Sequence, residues 1–400
     1  LKKIPRTEKI FASRLQKEDD GMSVEAVGSA SEEFPLALEG NYRDFFGDKI
    51  QTLANLCIKP FWFVEQKLYS CFLPLHPREY GQAVSKIQEV CRRLFTFIFS
   101  VPAMLASLPF YFMGMALTGI GNVIKTRAYR YVEGNYHGEF TSQPKVFHLN
   151  ACMFPGSLPC AFGGVSPASM RFDRLVTTIR ENDPDIVFLC EFNRGLGMSM
   201  VNALKDRYSH FAIDVGLNAT GLESSFFIAY RGELASPPLY IPFKEERKGM
   251  NSGFFMFETP DTYYVTTHLK NHEGTEEDTR AQLAQLKQIL SHIENEWIQK
   301  RVVFMGDFNF ERNSQQYQLL MEKGFIDRLS TGEETCTNAM QVHMDNLEEA
   351  VVSESIDYML VLDRSQKKSQ LDLHIVKSYI RDEYLHEALS DHHILIGVLA

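Results

Sequence analysis

From Leu94 to Ile124 the chain carries no charged side chain. The stretch, LFTFIFSVPAMLASLPFYFMGMALTGIGNVI, exceeds the roughly 20 residues that cross a bilayer as a helix. Core helices of soluble proteins rarely run this far without a charge. About ninety residues stand before it, so it reads as a membrane segment rather than a leader. Arg92 and Arg93 precede the run, and Lys125, Arg127 and Arg130 follow it. Basic flanks favour the cytoplasmic side, so both ends are expected there, with a re-entrant turn near Pro109, and Pro102 ahead of it. Lys125, Arg127 and Arg130 are expected to dock the chain on an anionic leaflet. Upstream, LCIKPFWFVEQKLYSCFLP surrounds Lys59, Glu65 and Lys67 with apolar residues. It reads as an amphipathic helix, lying in the interface or against the segment that follows. Cys57, Cys71 and Cys91 flank these segments and are candidates for S-acylation, and equally for plain thiols.

The rest of the chain must then supply a soluble domain. Three parts are expected: a polar, flexible tail over 1–50, a membrane-associating region with its linker over 51–143, and a catalytic domain over 144–400. The formal net charge is -10. Proteins built to grip nucleic acid usually show a basic footprint, so nucleic acid is not expected as a partner. The seven cysteines are odd in number and include no CxxC. That argues against a disulfide framework and for a reducing, cytosol-facing setting.

In the C-terminal part strands and helices alternate. KVFHLNACMF, DIVFLCEF, TYYVTTHLKN, RVVFMGDFNF, ESIDYMLVL and the closing LSDHHILIGVLA read as strands. RFDRLVTTIRENDP and TRAQLAQLKQILSHIENEWI have the apolar spacing of helices. Polar residues recur where the strands end or begin: Asn150, Glu191, His268, Asp307 with Asn309, Asp357, and Asp391 with His392. Alone, an Asn or Asp there is usually a turn residue, and a lone His is usually structural. Six such ends in one domain are different, because strands of a sheet end on a common rim and can converge on one cleft. Buried carboxylates in a cleft need compensation, which a hard divalent cation supplies.

LNA, CEF, TTHL, GDFNF, SIDYM and SDHH stand in the order of the motifs of the endonuclease/exonuclease/phosphatase superfamily, which this sequence resembles over residues 145–400. The resemblance implies a DNase I-like four-layer α/β sandwich, two packed sheets flanked by helices. Here an N-terminal hydrophobic, membrane-associating helical region would precede it. It also implies that Asp307 orients and activates the attacking water and that Asn309 holds a phosphate oxygen. The chemistry of phosphodiester hydrolysis suggests the other roles. Glu191 is the expected Mg²⁺ ligand, with Asn150 and Asp391 completing the site and Mn²⁺ as a substitute. His392 is the expected general base, held in one tautomer by Asp357. His268 is expected to stabilise transition-state oxygens or help protonate the leaving group. His393 should point to the other face.

All branches of the superfamily share this centre, so the apolar region has to choose the substrate. IKPFWFVEQKLYSCFLP, LASLPFYFMGMALTG, NACMFPGSLP, GDFNFERNS and ETCT are similar to stretches of the membrane-bound neutral sphingomyelinases. That likeness implies Mg²⁺-dependent hydrolysis of sphingomyelin to ceramide and phosphocholine at a membrane, with anionic phospholipids as activators. The alternatives are a phosphoinositide phosphatase or a phospholipase C-like enzyme, and then a nuclease. The family's long polar insertion is absent between Asn150 and Glu191. Of its regulatory Asp–Lys pair, Lys248 fits the Lys, while Phe243 stands at the Asp spacing with Glu245 and Glu246 nearby.

Overall fold

The computed structural model describes residues 42–69, 71, 86–153, 165, 166, 168–216, 224–244, 252–272, 274–296, 300–330, 332–340, 351–363, 371–378 and 388–399. Most of the expected tail, residues 1–41, lies outside them.

Two long helices come first, α1 (Tyr42–Tyr69) and α2 (Lys86–Ile124). The expected re-entrant turn at Pro109 is not there, because α2 runs through both Pro102 and Pro109. A proline removes one N–H and bends a helix, but away from water a helix still satisfies the remaining backbone groups best. The hairpin is formed instead by α1 against α2. Small residues let the two backbones approach. A Cβ on Gly114 would lie 2.8 Å from Ala54 O, and one on Gly121 would lie 3.1 Å from Gly47 O. Ile58, Trp62 and Tyr111 pack farther along the pair.

The base of the pair is polar. Asp44 Oδ1 accepts from Thr126 N and Asp44 Oδ2 from Thr126 Oγ1, each at 2.6 Å. Lys125 Nζ donates to Gln51 Oε1 at 2.7 Å, and Arg127 Nη2 donates to Asp48 Oδ2 at 2.9 Å. Arg127 also lies over the rings of Tyr129 and Tyr131. The expected docking of Lys125 and Arg127 on an anionic leaflet is therefore corrected: the Lys125 side chain is 1% exposed and Arg127 is tied to Asp48. The remainder of α2 is open. Val90–Ile124 is long and apolar enough to cross a membrane, with only 17% of its most apolar window buried.

The sandwich follows. One sheet has seven strands in the order β1 (Arg130–Glu133), β4 (His210–Ile213), β5 (Ser224–Tyr230), β3 (Ile186–Asn193), β2 (Lys145–Met153), β15 (Ile394–Leu399) and β14 (Leu371–Val376). The second has six, in the order β10 (Ile326–Asp327), β13 (Asp357–Leu362), β9 (Arg301–Asp307), β8 (Thr262–His268), β7 (Gly253–Glu258) and β6 (Ser236–Pro242). A small pair, β11 (Cys336–Thr337) and β12 (Ser353–Glu354), stands apart. Strand β1 lies inside the stretch read as linker, and Tyr129 just before it is in the core.

Period-two alternation assigns the faces. Val146, Phe188, Val303, Met305, Met359 and Val361 fill the space between the sheets. Phe147, Leu149, Val187 and Leu189 point outward onto α3 (Ala168–Asn182) and α4 (Arg194–Leu204). Val302, Phe304, Leu360 and Leu362 point outward onto α5 (Glu276–Glu296) and α6 (Gln315–Glu322). The result is the expected four-layer, DNase I-like α/β sandwich. The helix pair meets it where Trp62 covers Gly195 at the start of α4.

Gly114→Leu should force α1 and α2 apart, at an overpacking cost of about 1–3 kcal/mol. Hydrogen exchange across Tyr42–Tyr69 should then speed up, while β2 and β9 keep their protection. Unchanged protection of α1 would show that the close approach does not hold the pair.

Candidate active site

Alternation brings the polar strand ends into the gap between the sheets. Asn150 shares the inner face of β2 with Val146, and Asp307 that of β9 with Val303 and Met305. Asp357 falls on the face of Met359 and Val361, and His268 on that of Tyr264. Glu191 is the exception, because regular alternation would turn it outward with Val187 and Leu189. A bulge between Leu189 and Phe192, with Glu191 at φ +51°, turns it inward. The pairing of β8 with β9 sets His268 opposite Asp307, and that of β13 with β9 sets Asp357 opposite Asp307. Gly306 is required by close approach, since a Cβ there would lie 2.0 Å from Thr267 O.

Asp307 is the hub. Its Oδ2 accepts from Asn150 Nδ2 at 2.9 Å, and lies 3.5 Å from His268 Nε2 and 3.8 Å from His392 Nε2. Its Oδ1 accepts from the backbone N–H of Asn309 at 2.9 Å. Asn309 sits at φ +53° and donates through Nδ2 to Leu269 O. His268 Nε2 also faces Glu191 Oε1 at 3.7 Å. Asp391 Oδ1 lies 3.2 Å from Ser390 Oγ. Ser390 Oγ donates to Asn150 O at 2.6 Å, tying Asp391 and His392 to β2.

His392 and Asp357 form a buried dyad, with Nδ1 and Oδ2 2.8 Å apart. Burial alone would lower the His392 pKa, but the Asp357 carboxylate holds it well above the usual imidazole range. Burial would raise the Asp357 carboxyl, but the charge of His392 and contacts from His148 and His392 hold it well below the usual carboxylate range. His393 differs: burial, then Lys377, push it down to about 4, and its Nδ1 accepts from Ser378 N. His393 thus faces Ser378, away from the hub.

The donor set suits a hard cation. Burial raises the Glu191 carboxyl, and the neighbouring charges of Asp391 and Asp307 add to this against His268 and His392. Among the described residues the Glu191 carboxylate receives no hydrogen bond closer than its 3.7 Å approach to His268. Such crowded negative charge is relieved by a divalent ion. Asp307, Asp357 and His392 also bring ligand atoms within 4.8 Å of one another. There, however, Asp357 is already committed to His392.

All eight residues singled out in the sequence belong to this one place. Three neighbours were missed. His148, fully buried, has Nε2 3.7 Å from Asp357 Oδ1, and alternation two residues before Asn150 would have put it on the same face. Thr335 Oγ1 accepts from the backbone N–H of Ile356 and of Asp357. Cys336 bridges to His392, with its thiol pushed up to about 11 by burial against the pull of His392. Neither has a signal in the strand pattern, although both stand in the ETCT stretch that carries part of the likeness. Phe243 is buried in the core, and Glu245, Glu246 and Lys248 lie outside the described residues.

Among solved structures the chain is similar to beta toxin 275-280 from Staphylococcus aureus, at 17% identity and a TM-score of 0.50, covering 64% of this chain and 99% of that one. It is similar to D. rerio TDP2 complexed with a single strand DNA product, at 17% identity and a TM-score of 0.48, covering 65% and 100%. A third is Sphingomyelinase C from Streptomyces griseocarneus, at 16% identity and a TM-score of 0.45, covering 64% and 99%. Comparison with curated proteins gives no match. The sequence matches the Endonuclease/Exonuclease/phosphatase family over residues 150–392, the span from Asn150 to His392 that forms the site. With more than half of its length matched, this chain belongs to the endonuclease/exonuclease/phosphatase family of metal-dependent hydrolases.

Proposed function

We propose that the chain is a membrane-bound phosphodiesterase that cleaves sphingomyelin to ceramide and phosphocholine on the cytosolic face. The supporting observation is the pairing, on one chain, of a hydrolase centre with an apolar helix whose Leu94, Phe95, Ile98, Phe99 and Phe112 are exposed. An exposed surface of this kind calls for lipid. The choice of sphingomyelin rests on the motif likenesses around both apolar segments.

The catalytic groups divide the work. A divalent ion, Mg²⁺ or Mn²⁺, held by Glu191 with Asn150 and Asp391, would neutralise charge on the phosphoryl oxygens. Asp307 and His392 border the space where the attacking water must sit, since Asp307 Oδ2 and His392 Nε2 are 3.8 Å apart. Asp357 accepts the Nδ1–H of His392, which directs Nε2 at the water's proton. Asp357 favours the imidazolium of His392, and a bound divalent ion would oppose it and so favour the neutral ring as a base. Asn309 commits one amide N–H to Leu269 O and offers the other to a phosphoryl oxygen. His268 donates toward the developing charge or the leaving oxygen.

Three outcomes test this. Vesicles of sphingomyelin, phosphatidylcholine or phosphoinositide, each with and without phosphatidylserine, should release phosphocholine from sphingomyelin in Mg²⁺, and faster with phosphatidylserine. Preferred turnover of another lipid would replace the substrate, and nicking of plasmid DNA alone would replace the reading. Phe95→Glu, Phe99→Glu and Phe112→Glu together should cut vesicle binding at least tenfold, since each buried Phe contributes roughly 1.5–3 kcal/mol. Turnover of detergent-dispersed substrate should survive; equal binding by sedimentation would mean that α2 is not the membrane contact. Glu191→Gln should abolish Mg²⁺ and Mn²⁺ binding in calorimetry without shifting the thermal midpoint of the metal-free chain, and retained binding would remove Glu191 from the ligand set.

A further inference from the structure

We infer that His148 is a positioning residue for hydrolysis: its ring fixes the Asp357 carboxylate and thereby the orientation of His392. The inference rests on the reading of His392 and Asp357 as the working dyad.

Asp357 lies between two imidazoles. His392 Nδ1 is 2.8 Å from Oδ2, and His148 Nε2 is 3.7 Å from Oδ1. All three side chains are buried: His148 and Asp357 are each 0% exposed. Among the described residues, Asp357 Oδ1 and both ring nitrogens of His148 otherwise lack a hydrogen-bond partner. A buried polar atom without a partner is costly, so these two groups are each other's available relief. At 3.7 Å the contact is longer than a hydrogen bond, and on this inference it shortens to one in the working enzyme.

The location gives the contact its meaning. His148 is on β2, two residues before Asn150, so one strand reaches across the seam twice, to Asp357 and to Asp307. The backbone of Asp357 is already held by Thr335 Oγ1. Among the described residues the side chain is held on Oδ2 by His392 alone. Without His148 the carboxylate is free to turn, and His392 loses a fixed acceptor for Nδ1. Nε2 then no longer keeps its place beside Asp307. His148 itself lies behind Asp357 and exchanges no proton with substrate.

The test uses the full chain with His148→Leu, His148→Gln, Asp357→Asn and the double variant His148→Leu/Asp357→Asn. Turnover is followed on detergent-dispersed sphingomyelin and on bis(4-nitrophenyl) phosphate, a phosphodiester without lipid. His148→Leu should lower kcat about 10- to 100-fold with KM unchanged, the range seen for outer partners of functional imidazoles. His148→Gln, which keeps a donor on this side, should restore most of the loss. In the Asp357→Asn background, His148→Leu should cost little more, because the group it positions is already changed. Proton NMR of ¹⁵N-histidine-labelled chain supplies a readout apart from turnover. The downfield Nδ1–H signal of His392 should persist in His148→Gln and broaden or vanish in His148→Leu. A full kcat and an intact signal in His148→Leu would overturn the inference. So would an equal fold-loss with Asp357 and with Asn at 357. Were Asp357→Asn itself harmless, the dyad reading would fall and the inference with it. If His148→Leu loses its thermal midpoint, His148→Gln and the NMR signal decide.

Discussion

A hydrogen bond of 2.9 Å from Asn150 Nδ2 to Asp307 Oδ2 joins one sheet to the other at the open end of the sandwich. Most of the site has the same character. His392, two residues before β15 of the first sheet, meets Asp357 in the second, Glu191 in the first faces His268 in the second, and His148 approaches Asp357. Neither sheet alone contains a centre. The packing of Val146, Phe188, Val303, Met305 and Met359 between them therefore sets the catalytic distances as directly as any polar group. Since packed interiors resist small volume changes, the geometry is held by residues that do no chemistry.

The seam also explains the electrostatics. Glu191, Asp307, Asp357 and Asp391 gather in a space largely closed to water. One is answered by His392, which the pair raises well above the usual range. Asp307 accepts from the neutral N–H groups of Asn150 and Asn309, and Glu191 and Asp307 face His268 at 3.5 Å or beyond, too long for hydrogen bonds. A site with negative charge in excess of its own internal compensation is poised for a cation and for the phosphoryl group that the cation accompanies.

The helix pair obeys a different logic. Its two backbones meet at glycines, much of its outer face is apolar, and a polar cluster stands at its base. Lys125 and Arg127 serve this base, and through it the helices are fixed to the sandwich. Trp62 on Gly195 adds a second anchor, just beyond the strand that carries Glu191. The arm and the catalytic layer are thus joined near the site itself.

The sequence by itself determined the elements and the chemical inventory. The uncharged run from Leu94 to Ile124 was legible as an apolar segment, though not as one helix running through Pro102 and Pro109, and apolar alternation fixed which strand residues face inward, because a strand's period is two. Asn150, Glu191, His268, Asp307, Asn309, Asp357, Asp391 and His392 were legible as strand-end groups, since short buried strands leave few places for polar side chains. Tertiary structure alone decided the rest. The bulge that turns Glu191 inward depends on a register shift against β2 and β5, which no local pattern encodes. The partnership of His148 with Asp357 spans two sheets and 209 positions of chain, 357 minus 148, so nothing near either residue announces it. Lys125 and Arg127 looked like lipid contacts because sequence records charge and not its partner; only the antiparallel seating of α1 on α2 brought Asp48 and Gln51 to meet them.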